Sequence, residues 1–188
     1  MESLQLGPAS TALILIDLQH AIVGMETAPY TASAAVENGA ALASAFRQKG
    51  AKVAYVRVDL PNFLQLPVDL PHGRPPNLPA IASEIVPESG VQPGDLIITK
   101  RHWGAFSGTE LEEQLRKAGV KTVVIVGIAT SFGVESTARN AAGLGFAVVL
   151  AEDACTDLDA AGHSASFEKI FPRLGRVRKT AEVIEALA

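Results

Sequence analysis

Two charged side chains and one short loop stand where chemistry can be done, because each closes an apolar run. Asp17 ends the run Ala12 to Asp17 (ALILID), and Lys100 ends the run Asp95 to Lys100 (DLIITK). The loop Ala129-Thr130-Ser131-Phe132-Gly133 follows the run Lys121 to Ile128 (KTVVIVGI). A carboxyl group and an ammonium group brought together can transfer a proton and hold a developing charge. Taken singly, an aspartate at a strand end also serves to cap a turn, and a lysine there also serves as a solvated charge. Three such positions on one rim of one sheet argue for a site. The only cysteine, Cys155, lies in EDACTD, and a lone cysteine more often packs as an inert buried residue.

The elements that must position these groups are legible as an alternation. Further β-rich runs are Ala51 to Val58 (AKVAYVRV), Phe146 to Asp153 (FAVVLAED) and a polar edge, Gly175 to Thr180 (GRVRKT). Between the runs, helices are predicted over Ala32 to Lys49, Gly108 to Ala118, Ser131 to Leu144, Ala160 to Phe171 and Ala181 to Leu187. The second of these has Thr109 as its N-cap candidate, with acidic residues early and basic ones late, the order that suits the helix dipole. Strands and helices in alternation predict a three-layer α/β fold, a doubly wound, mostly parallel β-sheet with helices on both faces, Rossmann-like. Near-continuous Val/Ile/Leu runs fit strands covered on both sides. In such sheets ligands bind beyond the carboxyl ends of the strands, where the strand order reverses. The stretch Pro61 to Pro79 breaks the rhythm, with six of the eleven prolines. A loop of that length serves as a lid, a binding loop, an interface or a rigid surface excursion.

A chain of 188 residues, 48% hydrophobic and 19% charged, suits one domain over residues 1–188. The net charge of −4 gives no electrostatic reason to expect nucleic acid. No apolar run approaches the ~20 residues of a membrane helix, and the N-terminus has no basic signal-peptide region. A single cysteine fits a reducing compartment. The expectation is a cytoplasmic protein without nucleic-acid or membrane partners. No glycine loop is followed by GK[ST], and Gly143 and Gly145 precede a strand, the reverse of a dinucleotide site, so no nucleotide cofactor is expected.

ILIDLQ, TKRHWGAFSGTEL and VGIATSFGVESTARNA resemble the isochorismatase-like superfamily, which includes the cysteine hydrolases. The resemblance runs from the first strand to the last and implies a doubly wound parallel sheet. It further implies a triad of aspartate, lysine and cysteine, matched by Asp17, Lys100 and, at the cysteine position, Gly133. A thioester route needs a thiolate, which glycine does not supply. Isochorismatases also lack that cysteine and cleave an enol ether by acid and water. The resemblance therefore implies Asp17 as acid and Lys100 as the group that orients substrate or stabilises charge. It also implies a non-proline cis peptide at Ile128-Ala129, which would aim the backbone N–H groups of Ala129 and Gly133 into the site. Lys100 favours an ionised Asp17, burial favours a protonated one, and the sequence leaves that balance open.

Gln19, Trp103, Phe106, Thr130 and Phe132 are candidate substrate-binding residues. His102 reads as structural, Glu135 and Arg139 as an i,i+4 ion pair, and Asp153 as support for Lys100 or a helix start. His72 and Arg74, in the proline-rich stretch, are expected to reach an anionic substrate. The metal cluster that nicotinamidases of the family carry after the second strand is reduced here to Asp59 and His72, so no metal is expected. Two readings stay open. One is a metal- and cofactor-free hydrolase of a small polar or carboxylated molecule. The other is a degenerate binder that keeps the pocket and has lost turnover. The family resemblance implies a homo-oligomer.

Overall fold

The computed structural model describes residues 3–71 and 77–187, and the His72 and Arg74 expectations lie outside them. Six strands form one parallel sheet: β1 (Thr11–Ile16), β2 (Lys52–Val58), β3 (Leu96–Lys100), β4 (Thr122–Ile128), β5 (Ala147–Thr156) and β6 (Arg176–Arg178). Their order is β3-β2-β1-β4-β5-β6, so the winding reverses between β1 and β4. Every residue of β1 is buried, as a central strand with helices on both faces requires.

The helices are α1 (His20–Val23), α2 (Ala32–Gln48), α3 (Leu111–Lys117), α4 (Glu135–Gly143), α5 (Ala160–Ala165), α6 (Phe171–Leu174) and α7 (Thr180–Ala186). In α2, Ala35, Val36, Leu42 and Phe46 recur at helical spacing and are buried against the sheet. Its first turn is capped by the Thr31 hydroxyl, which accepts from the Ala34 N–H at 3.2 Å.

Several boundaries differ from the sequence reading. The helix predicted from Ser131 opens as a π-helical turn, Thr130–Val134, and only then becomes α4. The stretch from Ala160 is likewise split, with a π turn at Ser166–Ile170 before α6. Helix α3 starts at Leu111 rather than Gly108, and Glu110 occupies the cap position. Thr109 sits one residue earlier and donates its hydroxyl to the Ala105 carbonyl. Strand β5 runs on to Thr156 because its pairing with β4 shifts after Leu150, resuming at Cys155 opposite Gly127. Glu152 and Asp153, which look like a strand end, fall in that irregularity.

The reversal point needs one particular residue. Gly127 pairs with Ile16 and has φ +127, and a Cβ there would lie 2.2 Å from the Ile16 carbonyl oxygen. Only glycine lets β1 and β4 close up at this height.

Candidate active site

Asp17, Lys100 and Gly133 meet at the carboxyl end of the sheet, over the β1/β4 reversal. Asp17 is the first residue beyond β1 and adopts φ 54, the left-handed region that Asp tolerates better than most side chains. Its N–H is held by the Val56 carbonyl at 2.9 Å. Lys100 is the last residue of β3, and its stem reaches past the end of β2. Its ammonium pairs with Asp17 Oδ2 at 2.7 Å and donates to the Trp103 carbonyl at 2.7 Å. An ammonium has three donors, so one remains for the space in front of it.

The two carboxyl oxygens are unlike. Oδ2 holds Lys100, whereas Oδ1 is buried with no hydrogen-bond partner. Burial pushes the Asp17 carboxyl above the usual carboxylate range, and the Lys100 ammonium and the nearby Val58 N–H, whose hydrogen bond goes to Gln19 Oε1, only partly oppose it. Of the two opposing effects left open by the sequence, burial is the larger.

Gly133 completes the group. A Cβ at this position would lie 3.0 Å from Asp17 Oδ2, 3.1 Å from Lys100 Nζ and 3.0 Å from Ile16 Cγ2. The carboxyl and ammonium groups thus crowd the place where a nucleophile's side chain would start. The peptide Ile128-Ala129 is cis, at the position the resemblance implies. In the following turn the Phe132 and Val134 N–H groups both donate to the Ala129 carbonyl. Two further bonds hold this loop from behind: Asp157 Oδ2 accepts from the Ser131 N–H at 2.7 Å, and His163 Nδ1 meets the Thr130 hydroxyl at 2.9 Å.

In front of the three residues is a cavity of about 230 Å³. Trp103, Phe132, Ala129 and Gly133 line it. Phe63, Leu78 and Gln65 also line it, so the proline-rich stretch supplies part of the wall. These three were not singled out from sequence, because their segment has no periodicity that would show an inward face.

Three candidate binding residues are placed elsewhere. Gln19 is fully buried and bonded through both ends of its amide, donating to the Val58 and Ser83 carbonyls and accepting from the Val58 N–H. It ties the loop after β1 to β2. Phe106 stacks on Phe146 at 5.8 Å in the core. The Thr130 side chain is buried against His163 and faces away from the cavity lining. Asp153 supports a helix start, accepting the Thr180 N–H and hydroxyl, and has no bond to Lys100. Glu135 and Arg139 do pair, at 2.9 Å. Asp59 is bonded to Arg101 and Asn62. Cys155 is fully buried with its thiol pushed up to about 12, mainly by burial, so it is not a substitute nucleophile.

A doubly wound parallel sheet with an acid–lysine pair at its reversal point defines a class of α/β enzyme. Residues 11–182 match the Isochorismatase domain, and the chain belongs to that family of hydrolases. It is 43% identical over 196 residues to an uncharacterised isochorismatase family protein of Escherichia coli O157:H7, spanning 98% of this chain and 100% of that one. It is 30% identical over 179 residues to the ureidoacrylate amidohydrolase RutB of Pantoea ananatis, spanning 81% of this chain and 72% of that one. The solved structure of an isochorismatase family protein from Burkholderia thailandensis superimposes with a TM-score of 0.93 at 39% identity, covering 99% of each chain. No helix among the described residues is long and apolar enough to cross a membrane.

Proposed function

We propose that this chain hydrolyses a small molecule by acid and water chemistry of the enol-ether type, without a covalent enzyme intermediate. The observation that carries the reading is the buried Asp17–Lys100 pair, with one carboxyl oxygen unpartnered, set against Gly133. Asp17 delivers its proton to the vinyl carbon of the substrate. Water then adds to the resulting oxocarbenium carbon and gives up a proton, and the hemiketal breaks its ether C–O bond to leave a ketone and an alcohol. The proton released from water restores the carboxyl group.

The pair suits both halves of that cycle. Burial shifts the acid towards its protonated form. Lys100, at 2.7 Å, stabilises the carboxylate that appears as the proton leaves, which is where charge develops. The Ala129 and Gly133 backbone would bind the alkoxide oxygen that develops as the hemiketal breaks, or a carboxylate of the substrate. A thioester route has no atom to begin from at Gly133, and a metal is not needed for any of these steps.

The test is a turnover screen of small enol ethers, amides and carboxylic esters with wild type and Asp17→Asn. Loss of enol-ether turnover in the variant supports the reading, and equal turnover removes Asp17 from the mechanism. An enzyme inert towards all three classes favours the degenerate binder.

A further inference from the structure

We propose that His163 is a positioning residue: through the Thr130 hydroxyl it sets where the loop 129–133 stands relative to the Asp17–Lys100 pair. This rests on the loop belonging to the working site and goes beyond the reaction by naming what holds the loop in place.

The loop has two sides. Ala129, Phe132 and Gly133 line the cavity, whereas Thr130 and Ser131 are bonded to the segment that follows the β5 irregularity. There Asp157 Oδ2 accepts the Ser131 N–H, and His163 of α5 meets the Thr130 hydroxyl through Nδ1 at 2.9 Å. Thr130 and His163 are both buried. A buried hydroxyl that loses its partner has no water to replace it, so the bond constrains the loop strongly. His163 is not among the cavity-lining residues, and its influence on the site passes through Thr130.

A side chain can position another only if it is itself fixed. The His163 ring packs on Phe167 at 4.6 Å and meets Tyr30 edge-on at 5.9 Å. Its Nε2 lies 3.3 Å from Glu152 Oε1. Glu152 also accepts the Tyr30 hydroxyl at 2.9 Å and pairs with Lys179. An ionised carboxylate only accepts, so the ring hydrogen belongs on Nε2 and the lone pair on Nδ1. Burial pushes the imidazole below its usual range, against the charge of Asp157, and so favours this neutral form. The Thr130 O–H is therefore the donor to Nδ1. A chain of directed bonds thus runs from Glu152, in the irregular stretch of β5, through His163 to the residue after Ala129.

Side-chain amides separate the two ring nitrogens. Asparagine carries an acceptor near the place of Nδ1 and reaches no further, whereas glutamine reaches towards Nε2. Amide hydrogen exchange is followed by NMR in the full-length protein. His163→Gln should speed exchange at Ser131, Phe132 and Val134 about tenfold, with His163→Asn within about threefold of wild type at the same amides. Thr130→Val, which removes only the hydroxyl from a side chain of the same shape, should match His163→Gln at the loop without changing the amides of β1. Thr130→Ser, which keeps the hydroxyl, should restore protection. Equal exchange in His163→Asn and His163→Gln, a loop unchanged in Thr130→Val, or acceleration spread evenly over β1 overturns the proposal. On a substrate from the screen, Thr130→Val should lose about tenfold in kcat with KM little changed, and a normal kcat also overturns it. If wild type turns over nothing, the acid mechanism fails, while the tether is still decided by exchange alone.

Discussion

Two ion pairs at opposite ends of the same sheet show how differently a fold can treat a buried charge. At the amino end of the strands, Asp95 precedes β3 and binds Arg47 from α2 through both oxygens, at 2.9 and 2.7 Å. Asp95 Oδ2 also accepts from the Gln92 N–H, and Arg47 donates to the Gly90 carbonyl and the Tyr55 hydroxyl. At the carboxyl end, Asp17 has a single charged partner and an oxygen with none. The first pair is saturated and fastens α2 to the start of β3. The second is held in a state that folding alone would not favour, since an unpaired buried polar atom costs free energy. Saturation marks the structural pair, and the missing bond marks the pair proposed to react.

The contrast can be broken most sharply through activity. Asp17→Asn is expected to lower turnover by ~10²–10⁴, the range for positioned acid catalysis, as measured by steady-state rates on any substrate found in the screen. Stability should sort the pairs the other way. Arg47→Met leaves Asp95 buried without its cation and should cost about 3–5 kcal/mol in denaturant unfolding. Replacing both members of the reactive pair, Asp17→Leu with Lys100→Met, should leave stability unchanged or raise it by about 1–4 kcal/mol. If the double replacement were as damaging as Arg47→Met, the distinction between the pairs would be lost.

A smaller effect is expected at Gly133. Gly133→Ala places a Cβ about as close to the pair as contacts allow and should cost about 1–3 kcal/mol by overpacking, read as a lower melting temperature. For the same reason Gly133→Cys should not create an efficient amidase.

pH sharpens the same contrast. The folded carboxyl of Asp17 lies above its unfolded value of about 3.9. Its contribution to stability is therefore fully present below that pH and is lost as pH rises through the raised folded value. The melting temperature of wild type minus that of Asp17→Asn should fall over this interval and then level off. A flat difference would mean that folding does not raise the Asp17 carboxyl. The smallest expected effect is at Cys155, which iodoacetamide should leave unmodified in the native protein and alkylate after unfolding.

The strands were legible because their apolar runs are uninterrupted, and the rim carrying Asp17, Lys100 and residues 129–133 followed from where those runs end. Gln19, Phe106 and Thr130 were misplaced for a shared reason. Each lies within three residues of a cavity-lining residue, but side chains close in sequence in loops and turns point in different directions. The extent of β5 was obscured by Glu152 and Asp153, whose charges imitate a strand end where the pairing only shifts register. Residues 63–78 have no periodicity from which to read an inward face, so the contribution of Phe63 and Leu78 to the wall was invisible.

By itself the sequence determined the fold class, the absence of a thiol at position 133 and the two charged residues at strand ends, because residue type and hydrophobic period are local properties. Only the tertiary structure decided that Asp17 Oδ1 has no partner, that Lys100 is anchored on the Trp103 carbonyl, and that three aromatic rings from distant segments form one wall. Those outcomes depend on which groups remain after every other donor, acceptor and apolar face has been paired, and that reckoning closes only when the whole chain has packed.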